Sequence, residues 1–508
     1  MTDDGRGVVR HASPPSGRQT HVVTGTAGRE ALTTVEGGGQ VSRSGRLVIR
    51  AGWVVPVDPG FSVIPDGEIL IEDERVVSAG PAGMASPAGA TVVEFPGHAL
   101  LPGLVNVHTH VAGCLFRGLT EDRSDGFYGL ALPMERHLDA EAIYLLSRLG
   151  IAEVMLAGCT VIHEIYHHPA ATAQAAAELG VRAQLASKVF DTDLASIGTG
   201  DRTQIPAEGD RRLQENVDLY DAWHGAADGR VQIRFGAHAA DTCSPRLLAL
   251  IREEARARGA GQHIHVAQSP QERDFMAAVR GTGSVEFLHD QEFLGPDTVV
   301  AHVVYATDRG IELLAETDTP VAHCPAIVAK RGRYAPVRQL YEAGVRVGWG
   351  TDWVTMDPWD MMRFGISVPR IVSQEIDLLS AREALWRLTM GSAGVLGISD
   401  SVGSLEAGKQ ADLILVDLRQ PHLAPLHDPV DTLVYNASGR DVTHVMIGGK
   451  FVVEDRQLQT ATTGDIVQEA QAAATRIWQA ADLPPVGAGI ATRWPLPAGR
   501  REQGARHA

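Results

Sequence analysis

Between residues 104 and 352 short apolar β-rich runs alternate with longer amphipathic ones, and this alternation restricts the possible fold more than any other property of the chain. Strand-like segments fall at 104–110, 159–165, 182–190, 231–239, 262–268, 298–304, 320–325 and 346–352. The intervening segments 140–156, 170–179, 211–223, 245–258, 271–279, 308–316 and 337–343 are helical in composition or period. Parallel strands need a crossover between them, and eight such units close most naturally into a barrel. The expected fold class is therefore α/β, a (β/α)8 TIM-type barrel over 101–402. Any site should sit at the C-terminal ends of its strands.

The flanks read differently. Residues 46–100 and 403–457 hold short strands broken by Gly, Pro and Asp, and neither set has a complete core of its own. The two are expected to meet as one small β-sandwich built from both ends of the chain. Residues 1–45, rich in Gly, Ser, Thr and Arg, read as a flexible N-terminal extension. Residues 458–508 read as a helix (465–480) followed by a loosely held Pro-, Gly- and Arg-rich tail.

Composition excludes several classes. A formal charge of −17 over 508 residues argues against nucleic acid as a partner, since phosphate recognition needs a basic face. No apolar run is long enough to span a membrane, and the first residues lack the order of a signal peptide. A cytoplasmic protein with no membrane partner is expected. Cys114, Cys159, Cys243 and Cys324 form no Cys-x-x-Cys pair, so they read as reduced thiols rather than a zinc finger or disulfide framework.

Chemistry-bearing side chains gather where the strands end. His108 and His110 close the first strand in Pro102-Gly-Leu-Val-Asn-Val-His108-Thr-His110, at a spacing that directs both imidazoles to one face. His263 and His265 lie on the fifth strand, His302 on the sixth, and Asp352 ends the eighth in Gly350-Thr-Asp352. One histidine in such a place is usually structural. Several imidazoles and an acid from four strands around one mouth have the composition of a metal site.

These motifs resemble the amidohydrolase superfamily. Pro-Gly-Leu-Val-Asn-Val-His-Thr-His is similar to its opening signature, and Gly403-Ser-Leu-Glu-Ala-Gly-Lys-Gln-Ala-Asp412 to its C-terminal one. His265-Val-Ala-Gln268, Val300-Ala-His302-Val and Gly236-Ala-His238-Ala-Ala-Asp-Thr-Cys-Ser-Pro resemble the deaminase and chlorohydrolase branch, which includes cytosine, guanine, 8-oxoguanine and S-adenosylhomocysteine deaminases and triazine hydrolases. The resemblance covers roughly 46–457. It implies one divalent metal per chain, zinc first among Zn, Fe, Mn and Co, held by His108, His110, His265 and Asp352, with His302 beside it and His238 facing the substrate. No lysine stands near the end of the fourth strand to bridge two metals, which favours a mononuclear site. A metal-generated hydroxide would attack an sp² carbon, with Asp352 as proton acceptor and His302 stabilising the oxyanion.

Three positions depart from the branch. Gln268 replaces the usual glutamate, and an amide orients but does not transfer protons. Ile327-Val328 replaces a Ser-Asn pair, and Tyr305 stands where a second histidine is common. Glu164 or His163, at the end of the second strand, is a candidate substitute proton carrier. Arg117, in the loop after the first strand, is a candidate cover for a planar ligand, and Trp353 a candidate pocket wall. The expected activity is hydrolytic deamination of a small heterocyclic or amidine-like substrate by an amidohydrolase acting on non-peptide carbon–nitrogen bonds. Gln268 keeps open hydrolysis of an amide, urea, carbamate or carbon–halogen bond, and a non-catalytic scaffold is the remote alternative. The expected partners are a small-molecule substrate and further copies of the chain in a homo-oligomer, dimer or tetramer.

Overall fold

The computed structural model describes residues 22–23, 45–84, 87, 89–194 and 197–483. The expected flexible extension lies outside them except for Val22–Val23 and Gly45, as does the tail beyond 483. In chain order, β1 (Val22–Val23), β2 (Arg46–Val54), β3 (Ile64–Glu72), β4 (Arg75–Pro81) and β5 (Thr91–Pro102) precede the central unit. That unit contains β6 (Leu104–Thr109), β7 (Cys159–Tyr166), β8 (Arg182–Ser187), β9 (Val231–Ile233), β10 (Phe235–Ala239), β11 (Gln262–Val266), β12 (Thr298–His302), β13 (Val321–His323) and β14 (Val347–Trp349). Four more follow, β15 (Leu413–Asp417), β16 (Val442–Ile447), β17 (Lys450–Glu454) and β18 (Gln457–Leu458).

The central strands form the expected barrel. Two parallel ladders run β6-β7-β8-β9 and β10-β11-β12-β13-β14. β9 and β10 are the halves of the fourth strand, parted at Arg234, where the backbone passes from one neighbour to the other. Arg234 donates its N–H to the Leu185 carbonyl (2.8 Å), and Phe235 donates to that of Gly261 (2.9 Å). The other seam closes by a parallel bridge between Thr109 and Asp352. Strands such as β7, β11 and β12 are buried along their whole length, as strands covered on both faces must be. The surrounding helices start where side chains can satisfy their free N–H groups. Asp139 caps Ala140–Leu156, Ser244 caps Pro245–Arg258 and Thr307 caps Asp308–Glu316.

The two ends of the chain meet through β5 and β15, antiparallel with His98 to Pro102 opposite Asp417 to Leu413. The result is one nine-stranded sheet, in the order β18-β17-β16-β15-β5-β2-β3-β4 with β1 beside β5. It curls back on itself, because β4 also hydrogen-bonds the segment before β15: Val76 donates to the Lys409 carbonyl and Gly408 to that of Val76. Ile49, Ile69 and Phe95 from the first end pack there with Leu413, Leu415 and Met446 from the second. β2 and β5 run parallel, whereas the other strand pairs of this sheet are antiparallel. The C-terminal helix, Thr463–Ala480, is fixed beside Ala140–Leu156, with Trp478 donating to the Leu115 carbonyl (3.2 Å) and Arg476 paired with Asp139 (2.6 Å). No described helix is long and apolar enough to cross a membrane.

Candidate metal centre and substrate pocket

The seam that closes the barrel also assembles the site. Asp352 N–H donates to the His108 carbonyl (3.0 Å) and His110 N–H to the Asp352 carbonyl (2.9 Å), so three candidate ligands are tied together by main chain. Asp352 adopts a left-handed φ of 64°, and His302 one of 81°. Such conformations in non-glycine residues persist only where the surroundings enforce them. Gly350 allows the approach, since a Cβ there would stand 2.6 Å from the His108 carbonyl oxygen.

Around this seam the imidazoles converge. His110 Nε2 and His265 Nε2 are 3.2 Å apart, and Asp352 Oδ1 lies 3.4 Å from His110 Nε2 and 3.6 Å from His108 Nε2. His302 Nε2 is 4.0 Å from Asp352 Oδ2. Two overlapping triads, His108–His265–His302 and His108–His110–Asp352, place their donor atoms within 4.8 Å of one another. His302 thus joins the donor atoms of the cluster beside the four residues expected to ligate.

The donor set fits a divalent cation. His108 Nε2 is buried with no hydrogen-bond partner, an expensive state for a polar atom unless something else engages it. Burial, reinforced by neighbouring imidazoles, pushes His110 and His265 far below the ordinary histidine range; burial also lowers His302 to about 4 against the pull of Asp352. Neutral imidazoles are the ligating form. Burial alone would push Asp352 up, but His108, His302 and Arg331 hold it below its usual value, ionised.

The second ring nitrogens of His265 and His108 are held from behind, as metal-site histidines require. His265 Nδ1 reaches the His238 carbonyl (2.5 Å), and His108 Nδ1 meets His263 Nε2 (2.9 Å). His263 in turn stacks on His163, with ring centroids 3.8 Å apart. His238 is oriented by Thr242 (2.9 Å).

A cavity of about 870 Å³, including its open mouth, stands over the cluster. His110, His238, His265, His302, Asp352, Gln268 and Trp353 all line it. Gln268 Nε2 has no partner, while its backbone N–H is held by Glu272 (2.8 Å). Ile327 and Val328 line the wall as apolar side chains. Three expected pocket residues lie elsewhere. Arg117 donates to the Val354 carbonyl and to Glu153, both at 2.7 Å, and so turns away from the cavity. Glu164 sits behind His110, its Oε2 on the Val111 N–H (2.8 Å) and its Oε1 3.9 Å from His110 Nδ1; burial raises its carboxyl to about 8. Tyr305 is outside the lining and carries the Arg273 guanidinium on its ring.

Sequence reasoning passed over Lys188 and Glu135. Both line the cavity and form a buried pair, Lys188 Nζ lying 2.7 and 2.9 Å from the two carboxylate oxygens. His167 Nε2 adds a third contact to Glu135 at 2.9 Å. Burial pushes the carboxyl up, yet Lys188 and His167 together hold it at about 2. Lys188 follows β8 directly, at the same kind of strand end that drew attention to the histidines. Glu135, far along the loop after β6, carries no comparable signal.

With this geometry established, comparison with known proteins gives a consistent picture. The sequence model of the amidohydrolase family matches residues 99–452. The 5'-deoxyadenosine deaminase of Methanosarcina mazei is 34% identical over 438 residues, covering 85% of this chain and 98% of that protein. The 5-methylthioadenosine/S-adenosylhomocysteine deaminase of Moorella thermoacetica is 34% identical, covering 83% of this chain and 97% of its own length. Among solved structures, an adenosine deaminase from Xanthomonas campestris with bound zinc superposes with a TM-score of 0.79 at 28% identity, covering 85% of this chain and 98% of that one. An atrazine chlorohydrolase of Arthrobacter aurescens shares the fold, with a TM-score of 0.76 at 24% identity over 84% of this chain and all of that one.

Proposed function

The chain belongs to the amidohydrolase family, and we propose that it hydrolytically deaminates an adenine-type ring, with one zinc ion per chain as cofactor. The observation that carries this reading is the cluster itself: two Nε2 atoms 3.2 Å apart and an unpartnered His108 Nε2 around an ionised carboxylate, in the lining of an open cavity. His108, His110, His265 and Asp352 would hold the divalent cation, which when bound would lower the pKa of a water molecule.

The remaining work falls to side chains. Asp352, kept ionised, accepts the proton of the attacking water through the oxygen not facing His110. His302, neutral beside it, hydrogen-bonds the oxygen that becomes the ring carbonyl. The free Nε2 of Gln268 donates to a ring nitrogen and fixes the ring's register, but an amide passes no proton to the leaving amine. Asp352 passes the proton it takes from water to that amine, and the second water proton moves from the new oxygen to the ring nitrogen as the carbonyl forms. Glu164 orients His110 from behind, and His238 and Trp353 bound the ring.

Gln268 also favours a second reading, release from the same carbon of a group that needs no proton at this position, such as chloride or an alkoxide. The assembly is proposed as a homo-oligomer, dimer or tetramer, working in the cytoplasm. The test is ammonia release by zinc-supplemented protein from 5'-deoxyadenosine, methylthioadenosine and S-adenosylhomocysteine, with a chloro-substituted triazine in parallel. Ammonia from at least one adenine compound is the expected result. Chloride release alone selects the second reading, and neither release defeats both.

A further inference from the structure

The cavity holds two arginines whose guanidiniums have no ion-pair or hydrogen-bond partner among the described residues. Arg331 and Arg333 line it from the segment following the helix Pro325–Lys330. Among the described residues neither guanidinium makes an ion pair or a hydrogen bond, whereas Lys188, the other cationic group of the lining, is fully engaged by Glu135. Glu121 attracts Arg331, but its two carboxylate oxygens already accept from the backbone N–H groups of Gly118 (2.9 Å) and Thr120 (3.1 Å). Arg331 lies over the Trp353 ring, 5.3 Å from its centroid. Such a contact fixes the guanidinium through its face and leaves the N–H groups at its edge available to a ligand.

The position of the pair matters as much as its freedom. Arg331 is close enough to Asp352 and His302 to shift both groups, so it stands at the edge of the reacting centre rather than at a remote surface. Two unpaired guanidiniums also repel one another, and a bound anion relieves that repulsion while accepting their hydrogen bonds. We propose that the substrate carries an oxyanion, carboxylate or phosphoryl, which Arg331 and Arg333 bind at the rim of the cavity while the ring lies over the metal cluster. This deepens the proposed function and rests on it for the placement of the ring. The arginine pair as an anion site stands by itself.

The test separates the two. Calorimetry measures binding of benzoate, of neutral isosteric benzamide and of phenylphosphonate to the parent and to the Arg331→Gln/Arg333→Gln double variant, each metal-free and zinc-loaded. Charge-assisted hydrogen bonds are worth enough that benzoate should bind the parent about tenfold or more tighter than benzamide in both metal states. The variant should lose that preference. Phenylphosphonate binding tighter than benzoate identifies a phosphoryl group, and the reverse order a carboxylate. Equal binding of benzoate and benzamide, undetectable benzoate binding, or benzoate binding undiminished in the variant overturns the proposal, the last by placing the anion on the metal. Deamination of 5'-deoxyadenosine, methylthioadenosine and S-adenosylhomocysteine is followed on the same parent preparations. Its absence with all three counts against the proposed function and leaves the anion result standing.

Discussion

Replacing Lys188 by methionine should destabilise the protein by about 3 kcal/mol, because it strands the Glu135 carboxylate without its principal counter-ion. Their side chains are 3% and 6% exposed, so water does not screen the pair. Glu135 is held at about 2 against an ordinary value of 4.5. At about 1.36 kcal/mol per pH unit this corresponds to about 3 kcal/mol from Lys188 and His167 together, and stranding the carboxylate beside His167 alone falls near the lower end of the range of about 3–5 kcal/mol for breaking a buried pair. The carboxyl is depressed in the fold, so its contribution is complete above 4.5 and is lost as pH falls toward 2. In the variant the acid transition should therefore begin at higher pH. The assay is urea unfolding at pH 7 followed by tryptophan fluorescence, which reports buried Trp349 and Trp359. A Lys188→Met/Glu135→Met double variant should recover most of the loss, since no charge then remains buried. A single-variant loss under about 1 kcal/mol, or a double variant worse than the single, would refute the reasoning.

Further outcomes follow from the same geometry. His265→Ala should purify with little bound metal, measured by elemental analysis, because it removes one of the two facing Nε2 atoms; full occupancy would displace His265 from the ligand set. Asp352→Asn should keep the fold while lowering turnover about 10²- to 10⁴-fold, and a near-parental rate would place the base elsewhere. Gln268→Glu should raise ammonia release from ring amines and introduce a new limb in the pH–rate profile. Full parental activity in Gln268→Ala would show the side chain to be a bystander.

Much of this architecture is legible along the chain, for identifiable reasons. Buried parallel strands are continuous apolar runs, and the helices 140–156, 245–258 and 308–316 are observed with the boundaries their period suggests. Strand-end position brought out His108, His110, His263, His265, His302 and Asp352, the family resemblance singled out His265 over His263 as a ligand, and the structure gathers the others without His263 into one cluster. Errors fall where long-range contacts override local pattern. The third strand stops at Ser187, short of 190, and so Lys188 is released into the cavity. The fourth breaks at Arg234, whose guanidinium reaches Gln184 and the carbonyls of Asp297 and Leu396. Arg117 leaves the pocket because Glu153 and Val354 hold it, partners 36 and 237 residues away that no local reading identifies. Glu164 faces the back of His110 because the Val111 N–H captures its carboxylate.

The proposed reaction replaces an amine on a ring carbon with oxygen from water activated at this cluster. Its most direct test is turnover of 5'-deoxyadenosine in heavy-oxygen-labelled water by three samples: zinc-loaded protein, chelator-stripped protein and stripped protein resupplied with zinc. One ammonia per product, heavy oxygen in the new ring carbonyl, loss of both on stripping and recovery of both on resupply are the expected results. Undiminished turnover by stripped protein, or a product carbonyl without solvent oxygen, would contradict the proposed reaction.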